Sequence, residues 1–243
     1  MSRFEIYSPE GLRADGRRWN ELRHIKCGIN THSKSADGSA VVEMGASKVV
    51  CIVQGPQEPE TRSRVREKAT LSVSVTVAPF STTERSKHVT NDRRLQEMSA
   101  NLQNLFEEAV LTHLHPRTEI VCSLTVIAQD GGLLSCCINA MTLALIDAGL
   151  PMYEYVSACS VALFDQTPLL DPNNVEETEL ASVTVGIVGE TDKISLLILE
   201  RRLGLDRLPP ALELGVEGCK VLRQVMDKEV RRHGAMRLAS RAE

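Results

Sequence analysis

The chain has 243 residues, 42% of them hydrophobic and 25% charged, with a formal net charge of −4 at pH 7. That length and apolar content allow a sizeable core, as one large domain or two tightly joined halves, and exclude a disordered chain; the net acidity excludes a generally basic, RNA-coating protein. Seven cysteines, an odd number without CxxC or Cys/His spacing, fit reduced thiols of a cytosolic or nuclear protein rather than a disulfide framework or a zinc site.

Residues Met1 to Asn20, MSRFEIYSPEGLRADGRRWN, are polar and turn-rich, with charges spread along them, so neither a signal peptide nor a helix is expected there. Read alone, Arg17 and Arg18 belong to a surface arm and make ordinary salt bridges. No run is long and apolar enough for a transmembrane helix, and no membrane contact is expected. Cys27 to Asn30, Gly38 to Met44 and Lys48 to Gln54 predict short strands separated by turns at Asp37-Gly38 and Gly45, a β-meander. Val49 to Val53 is apolar throughout, which places it centrally.

Gly55 to Lys68 carries Pro56 and Pro59, then Arg62, Ser63, Arg64, Arg66 and Lys68, a loop tip of like charges. From Glu60 to Arg94 there are eight Lys/Arg against four acids, whereas Asp171 to Asp192 holds six acids and no Lys or Arg. One basic face on a polarised surface is implied. Leu71, Val73, Val75 and Val77 alternate with Ser72, Ser74 and Thr76, so one face of that strand meets a core and the other meets solvent or a partner.

Asn91 to Leu111 predicts an amphipathic helix, with Leu95, Met98, Leu102, Leu105, Phe106 and Ala109 on one stripe and Thr90 or Asn91 as cap. Arg93 and Arg94 fall in its first turn, where each cation opposes the helix dipole by roughly several tenths of a kcal/mol. Either an anion is bound there or the arginines pair with acids such as Asp92 or Glu97. His113 and His115, near the helix end, read as a capping or surface pair.

Thr118 to Ala128 is β-branched and apolar enough for a buried strand. The turn Asp130-Gly131-Gly132 follows it, and then Leu133 to Ala148, a helix apolar on nearly every side that Gly149 and Pro151 terminate. Strand, glycine turn and helix bring free backbone N–H groups and a helix dipole to one point, an arrangement suited to an anion. Val156 to Phe164 then predicts a strand, Asp165 to Thr178 a turn-rich acidic loop, Ser182 to Val188 and Lys193 to Glu200 two strands joined at Gly189, and Leu208 to Arg232 a long helix. The basic, polar tail from Arg231 to Glu243 is expected to fray. The outline suggests an internal duplication, with halves of about 1–118 and 119–243 in a single domain spanning 1–243.

Four stretches together, LRADGR at Leu12 to Arg17, NDRRLQEMS at Asn91 to Ser99, QDGG at Gln129 to Gly132 and LALIDAGLPM at Leu143 to Met152, resemble the ribonuclease PH family, a match from about Leu12 to Asp227. Within the family the chain is most similar to the eukaryotic exosome ring subunit that corresponds to the archaeal catalytic subunit, and SPEGLRADGRRWNELR, TPLLDPNNVEE and SVTVGIVG look like fungal members. The resemblance implies an α+β, ribonuclease PH-like fold of tandem β-α-β-α units around a shared core. It also implies a place in a six-subunit ring around an RNA channel.

Active members degrade RNA from the 3′ end with inorganic phosphate as nucleophile. They hold phosphate with arginines, the glycine-turn amides and a Ser or Thr directly after that turn, and they use two downstream aspartates for acid catalysis or a divalent ion. Here Arg93, Arg94 and the Asp130-Gly131-Gly132 turn are retained. Leu133 and Leu134 stand where the family has Ser or Thr followed by Arg, the first aspartate falls near Glu177, and the second falls on or beside Ser182. These losses of hydroxyl, cation and acid should each lower a rate by orders of magnitude.

The resemblance therefore implies a non-catalytic structural and RNA-channel subunit guiding single-stranded RNA to associated exoribonucleases; the alternative is a phosphate-dependent 3′-to-5′ exoribonuclease with weak residual activity. Arg62, Ser63, Arg64, Arg93 and Arg94 are the expected RNA-binding residues. No catalytic residue, cofactor or metal is expected. Implied partners are the other ribonuclease PH-like ring subunits, RNA-binding cap subunits, associated exoribonucleases and single-stranded RNA, in nucleus, nucleolus and cytoplasm.

Overall fold

The computed structural model describes residues 6–8, 10–32, 34–58, 68–82, 85, 92–191 and 193–242. Strands β1 (Ile25–Ile29), β2 (Gly38–Met44) and β3 (Ser47–Gln57) form the expected antiparallel meander. Strand β4 (Thr70–Val77), helix α1 (Arg93–Ala109) and strand β5 (Glu119–Ala128) then make a crossover, with β5 inserted between β3 and β4 and parallel to β4. The sheet order β1-β2-β3-β5-β4 puts β3 in the middle, which is why Val49, Cys51 and Val53 are fully buried. The alternating β4 is an edge strand: Leu71 and Val75 are buried while Ser74 and Thr76 are not.

Helix α2 (Leu133–Asp147) is the shared core element. It packs on β2 and β3 on one side and on β6 (Val156–Phe164) on the other, so its burial on nearly every side has two sheets as its cause. Close approach demands glycine at Gly38, where an added Cβ would lie 2.3 Å from the Ala144 carbonyl oxygen. The polar side chains of α2 are matched locally. Asn139 donates to the Ala158 carbonyl and accepts the Ala158 N–H, both at 3.0 Å, at the part of β6 beyond its pairing with β7 (Thr167–Leu170). Thr142 Oγ1 donates to the Val156 carbonyl at 2.8 Å.

The second sheet has the order β7-β6-β8-β9, completed by β8 (Ala181–Val188) and β9 (Ile194–Leu199), and is covered by α4 (Leu208–Ala242). Three expectations are corrected. First, Asp165 to Thr178 is not wholly a loop, since it holds β7 and most of a short helix α3 (Asn174–Glu179), set by a capping box in which Asn173 accepts the Glu176 N–H and Glu176 accepts the Asn173 N–H. Second, the basic tail continues α4 as helix to Ala242. Arg231 pairs with Asp227 one turn back at 2.7 Å, and Arg237 reaches the buried Asp147 at the end of α2 at 3.3 Å. Third, the cap of α1 is Asp92, whose carboxylate accepts the Arg94 N–H at 3.0 Å, rather than Thr90 or Asn91. A charged cap partly offsets the two arginines that follow it.

Candidate functional site

The turn between β5 and α2 is held from beneath. Gly131 and Gly132 have φ of +74° and +61°, and a Cβ on Gly131 would come within 2.6 Å of the Pro172 carbonyl oxygen, so the chain at 172–173 lies directly against the turn. Ser47 Oγ donates to the Gly131 carbonyl at 2.8 Å and accepts the Asp130 N–H at 2.9 Å. The Arg23 guanidinium donates to the Asp130 and Gly131 carbonyls and to both oxygens of Asp171, at 2.7 Å to Oδ1 and 3.0 Å to Oδ2. With the Asp130 and Gly131 carbonyls tied down, the N–H of the buried Gly132 is left for α3.

The arm does more than the surface pairing expected of Arg17 and Arg18. Arg13, from LRADGR, is buried and donates to Glu176 and to the carbonyls of Leu170 and Asp171. Arg17 pairs with Asp15 at 2.7 Å and also donates to the Asp171 carbonyl at 3.0 Å. Arg23 thus ties Asp171 to the glycine turn, while Arg13 and Arg17 hold residues 170–176 against the arm. Sequence reasoning missed Arg13, Arg23, Asp171 and Glu176 as residues that build this site. A readable signal existed in Asn173-x-x-Glu176, the N-cap pattern that announces α3 and brings Glu177 into its first turn.

Glu177 occupies the place expected for a bound anion. Its Oε2 accepts the Gly132 N–H at 3.0 Å, at the start of α2. Burial pushes the Glu177 carboxyl above the ordinary value of 4.5; the Gly132 N–H, Arg94 and Arg23 pull it down and Glu200 pushes it up, leaving it raised. A carboxyl with a raised folded pKa binds its proton more tightly in the native state, so its contribution to stability falls as pH rises through that window. Glu177→Gln keeps an oxygen for the Gly132 N–H and removes the largely buried charge. The melting temperature of this variant at pH 7 should equal or exceed that of the parent, and the difference should close as pH falls below 4.5. A clear loss at pH 7 would contradict this account.

Arg94 of α1 lies at the same place. Arg94 and Leu133 both line a groove of about 740 Å³ between α1 and β4, with Gln129 and Ser99. Arg94 pairs with Glu200 at 3.8 Å, both side chains largely exposed, and Arg93 is exposed with no acidic partner among the described residues. The expected alternatives of Asp92 or Glu97 as ion-pair partners are therefore not realised among the described residues: Asp92 is used on a backbone N–H. Arg62, Ser63 and Arg64 lie outside the described residues. Leu133 brings an apolar side chain to the turn's edge, and Ser182 is buried within β8 opposite Ala162.

Residues 21–151 match the 3′ exoribonuclease family, domain 1, and residues 154–218 match its domain 2. The chain is similar to the exosome complex component SKI6 of Saccharomyces cerevisiae, 48% identical over 99% of this chain and 98% of that protein. The exosome complex component RRP41 of Homo sapiens is 37% identical over 96% of each. Among solved structures, rice (Oryza sativa) Rrp46 superposes with a TM-score of 0.81 at 25% identity, covering 90% of this chain and 100% of that one. A chain of the Archaeoglobus fulgidus exosome with RNA bound to the active site superposes with a TM-score of 0.74 at 19% identity, over 88% of this chain and 92% of that one, a likeness of fold.

Proposed function

We propose that this chain, which belongs to the 3′ exoribonuclease (ribonuclease PH) family, is a non-catalytic ring subunit of an RNA exosome that guides single-stranded RNA toward associated exoribonucleases. The observation that supports this reading is the state of the turn: the Gly132 amide is engaged by Glu177, the hydroxyl position of the family corresponds to Leu133, and the second acid position, on or beside Ser182, lies at a buried serine. Arg93 and Arg94, both exposed at the start of α1, are assigned to RNA phosphates, and Arg62, Ser63 and Arg64 to the channel-facing loop. The partners in this reading are the neighbouring ribonuclease PH-like ring subunits, the RNA-binding cap subunits, the nucleases and single-stranded RNA, in nucleus, nucleolus and cytoplasm. The chain is taken as one domain of two pseudo-repeated halves. The halves proposed are about 1–118 and 119–243.

The purified ring, free of added nucleases, should release no nucleoside diphosphates from single-stranded RNA in the presence of phosphate. A second reading, weak phosphorolysis, is favoured by one feature, the carboxylate of Glu177 at the turn. Phosphate-dependent release abolished by Glu177→Ala would establish it and remove the first.

A further inference from the structure

Of the phenylalanines among the described residues, Phe106 is fully buried, Phe164 packs against Tyr7 with ring centroids 5.8 Å apart, and Phe80 is 70% exposed. The ring of Phe80 forgoes the burial that drives folding, yet its backbone is fixed. Phe80 stands in a tight turn from Ala78 to Ser81, closed by the Ser81 N–H donating to the Ala78 carbonyl at 2.9 Å, with Pro79 where its fixed φ suits such a turn. The Ala78 N–H donates to the Val126 carbonyl of β5 at 3.0 Å, and the Gln129 N–H donates to the Ser81 carbonyl at 3.0 Å. Both ends of the turn are therefore tied to the chain that runs from β5 into the glycine turn. Val77 and Thr82, on either side of the turn, line the groove that also holds Arg94 and Gln129. Arg85, three residues beyond Thr82, is exposed.

We propose that Phe80 is a stacking platform for one base of the single-stranded RNA whose phosphates are assigned to Arg94. This deepens the reading of the subunit as part of an RNA path and rests on it. An aromatic face held open by a rigid turn, beside a groove with an exposed guanidinium, meets both demands of a single strand: its bases stack on rings, and the phosphates between them take cations. A protein partner calls for a broader apolar patch, whereas the chain around Phe80 offers the partly buried Pro79, the buried Ser81 and the exposed, polar Thr82. Stacking accepts every base, so the contact tightens the hold on a strand without selecting its sequence.

The experiment is titration of the assembled ring with labelled single-stranded RNA at several salt concentrations, beside a set of strands each carrying one abasic nucleotide. Phe80→Ala should weaken binding by about 5- to 150-fold, the usual worth of one stacked base, and leave the log–log salt slope unchanged, because no phosphate contact is lost. Phe80→Trp should restore the parent affinity, and Phe80→Leu, which keeps apolar bulk without a ring, should not. One abasic strand should bind the parent as weakly as intact RNA binds the Phe80→Ala ring, and for that strand Phe80→Ala should cost nothing more. Should Phe80→Ala prevent assembly, an assembled Phe80→Leu ring with weakened RNA binding supports the platform in its place. Unchanged affinity in either assembled variant, a loss that persists with every abasic strand, or failure of both variants to assemble overturns the proposal. A parent ring that binds no single-stranded RNA removes the functional reading as well, whereas a parent that binds RNA without help from Phe80 leaves that reading standing.

Discussion

Arg23→Ala is expected to lower stability by about 3–5 kcal/mol, the usual cost of leaving one partner of a buried ion pair without the other. Asp171 is 0% exposed and takes three hydrogen bonds from Arg23, two from the guanidinium and one from the backbone N–H. Removing the guanidinium strands that carboxylate, frees the Asp130 carbonyl and leaves the Gly131 carbonyl to Ser47 alone, so the turn before α2 should loosen together with the loop that packs on it. The companion variant separates charge from packing. Asp171 has φ of +51°, a conformation asparagine adopts readily, so Arg23→Ala with Asp171→Asn removes the buried charge without new backbone strain. More than half of the missing stability should return in the double variant. Denaturant unfolding of the purified complex measures both, and a single variant as stable as the parent would refute the clamp.

Charge reversal on α1 should leave the complex intact and weaken its hold on RNA. Arg93→Glu with Arg94→Glu disturbs, among the described residues, the exposed Arg94–Glu200 ion pair and the pull of Arg94 on Glu177, and exposed pairs contribute about 0–1 kcal/mol. Each cation withdrawn from a phosphate of a single strand lowers the salt dependence by about 0.7 in log–log slope. Withdrawing two should make the slope shallower by about 1.4 and, at 0.1 M salt, reduce affinity by about 25-fold. Sequence preference should hardly change, because phosphate contacts position a strand without reading it. Gel filtration for assembly and binding at several salt concentrations are the two measurements. Unchanged RNA affinity in an assembled double variant would remove both arginines from the RNA path; collapse of assembly first would assign them a structural role.

Much of the fold is written in local pattern. The apolar run Val49 to Val53 announced a central strand, the alternation from Leu71 to Val77 a strand with one buried face, and the apolar stretch after Gly132 a helix buried in the core. These readings succeed because burial sets which residues recur at a period of 2 or 3.6, and that period is visible along the chain. The glycine turn and the helix that follows it were legible in the same way, since turn and helix start are neighbours in sequence.

What meets that turn was settled by pairings between residues far apart in sequence. Arg23 meets Asp171 across 148 residues, Arg13 meets Glu176 across 163, and Gly132 meets Glu177 across 45. No local period encodes such pairs. The sequence shows arginines in a polar arm and acids in a turn-rich loop, and each has an adequate local explanation as a solvated charge. Likewise, the basic tail reads as fraying until Arg237 is seen to reach Asp147 at the end of α2. The sequence by itself determined the strands and helices, the glycine turn and the absence of a hydroxyl at Leu133. Only the tertiary structure decided that the turn's amide is engaged by the chain's own carboxylate, because a hydrogen bond to a helix terminus depends on where α3 is packed; Arg13 holds α3 itself, and Arg17 and Arg23 hold Asp171 ahead of it.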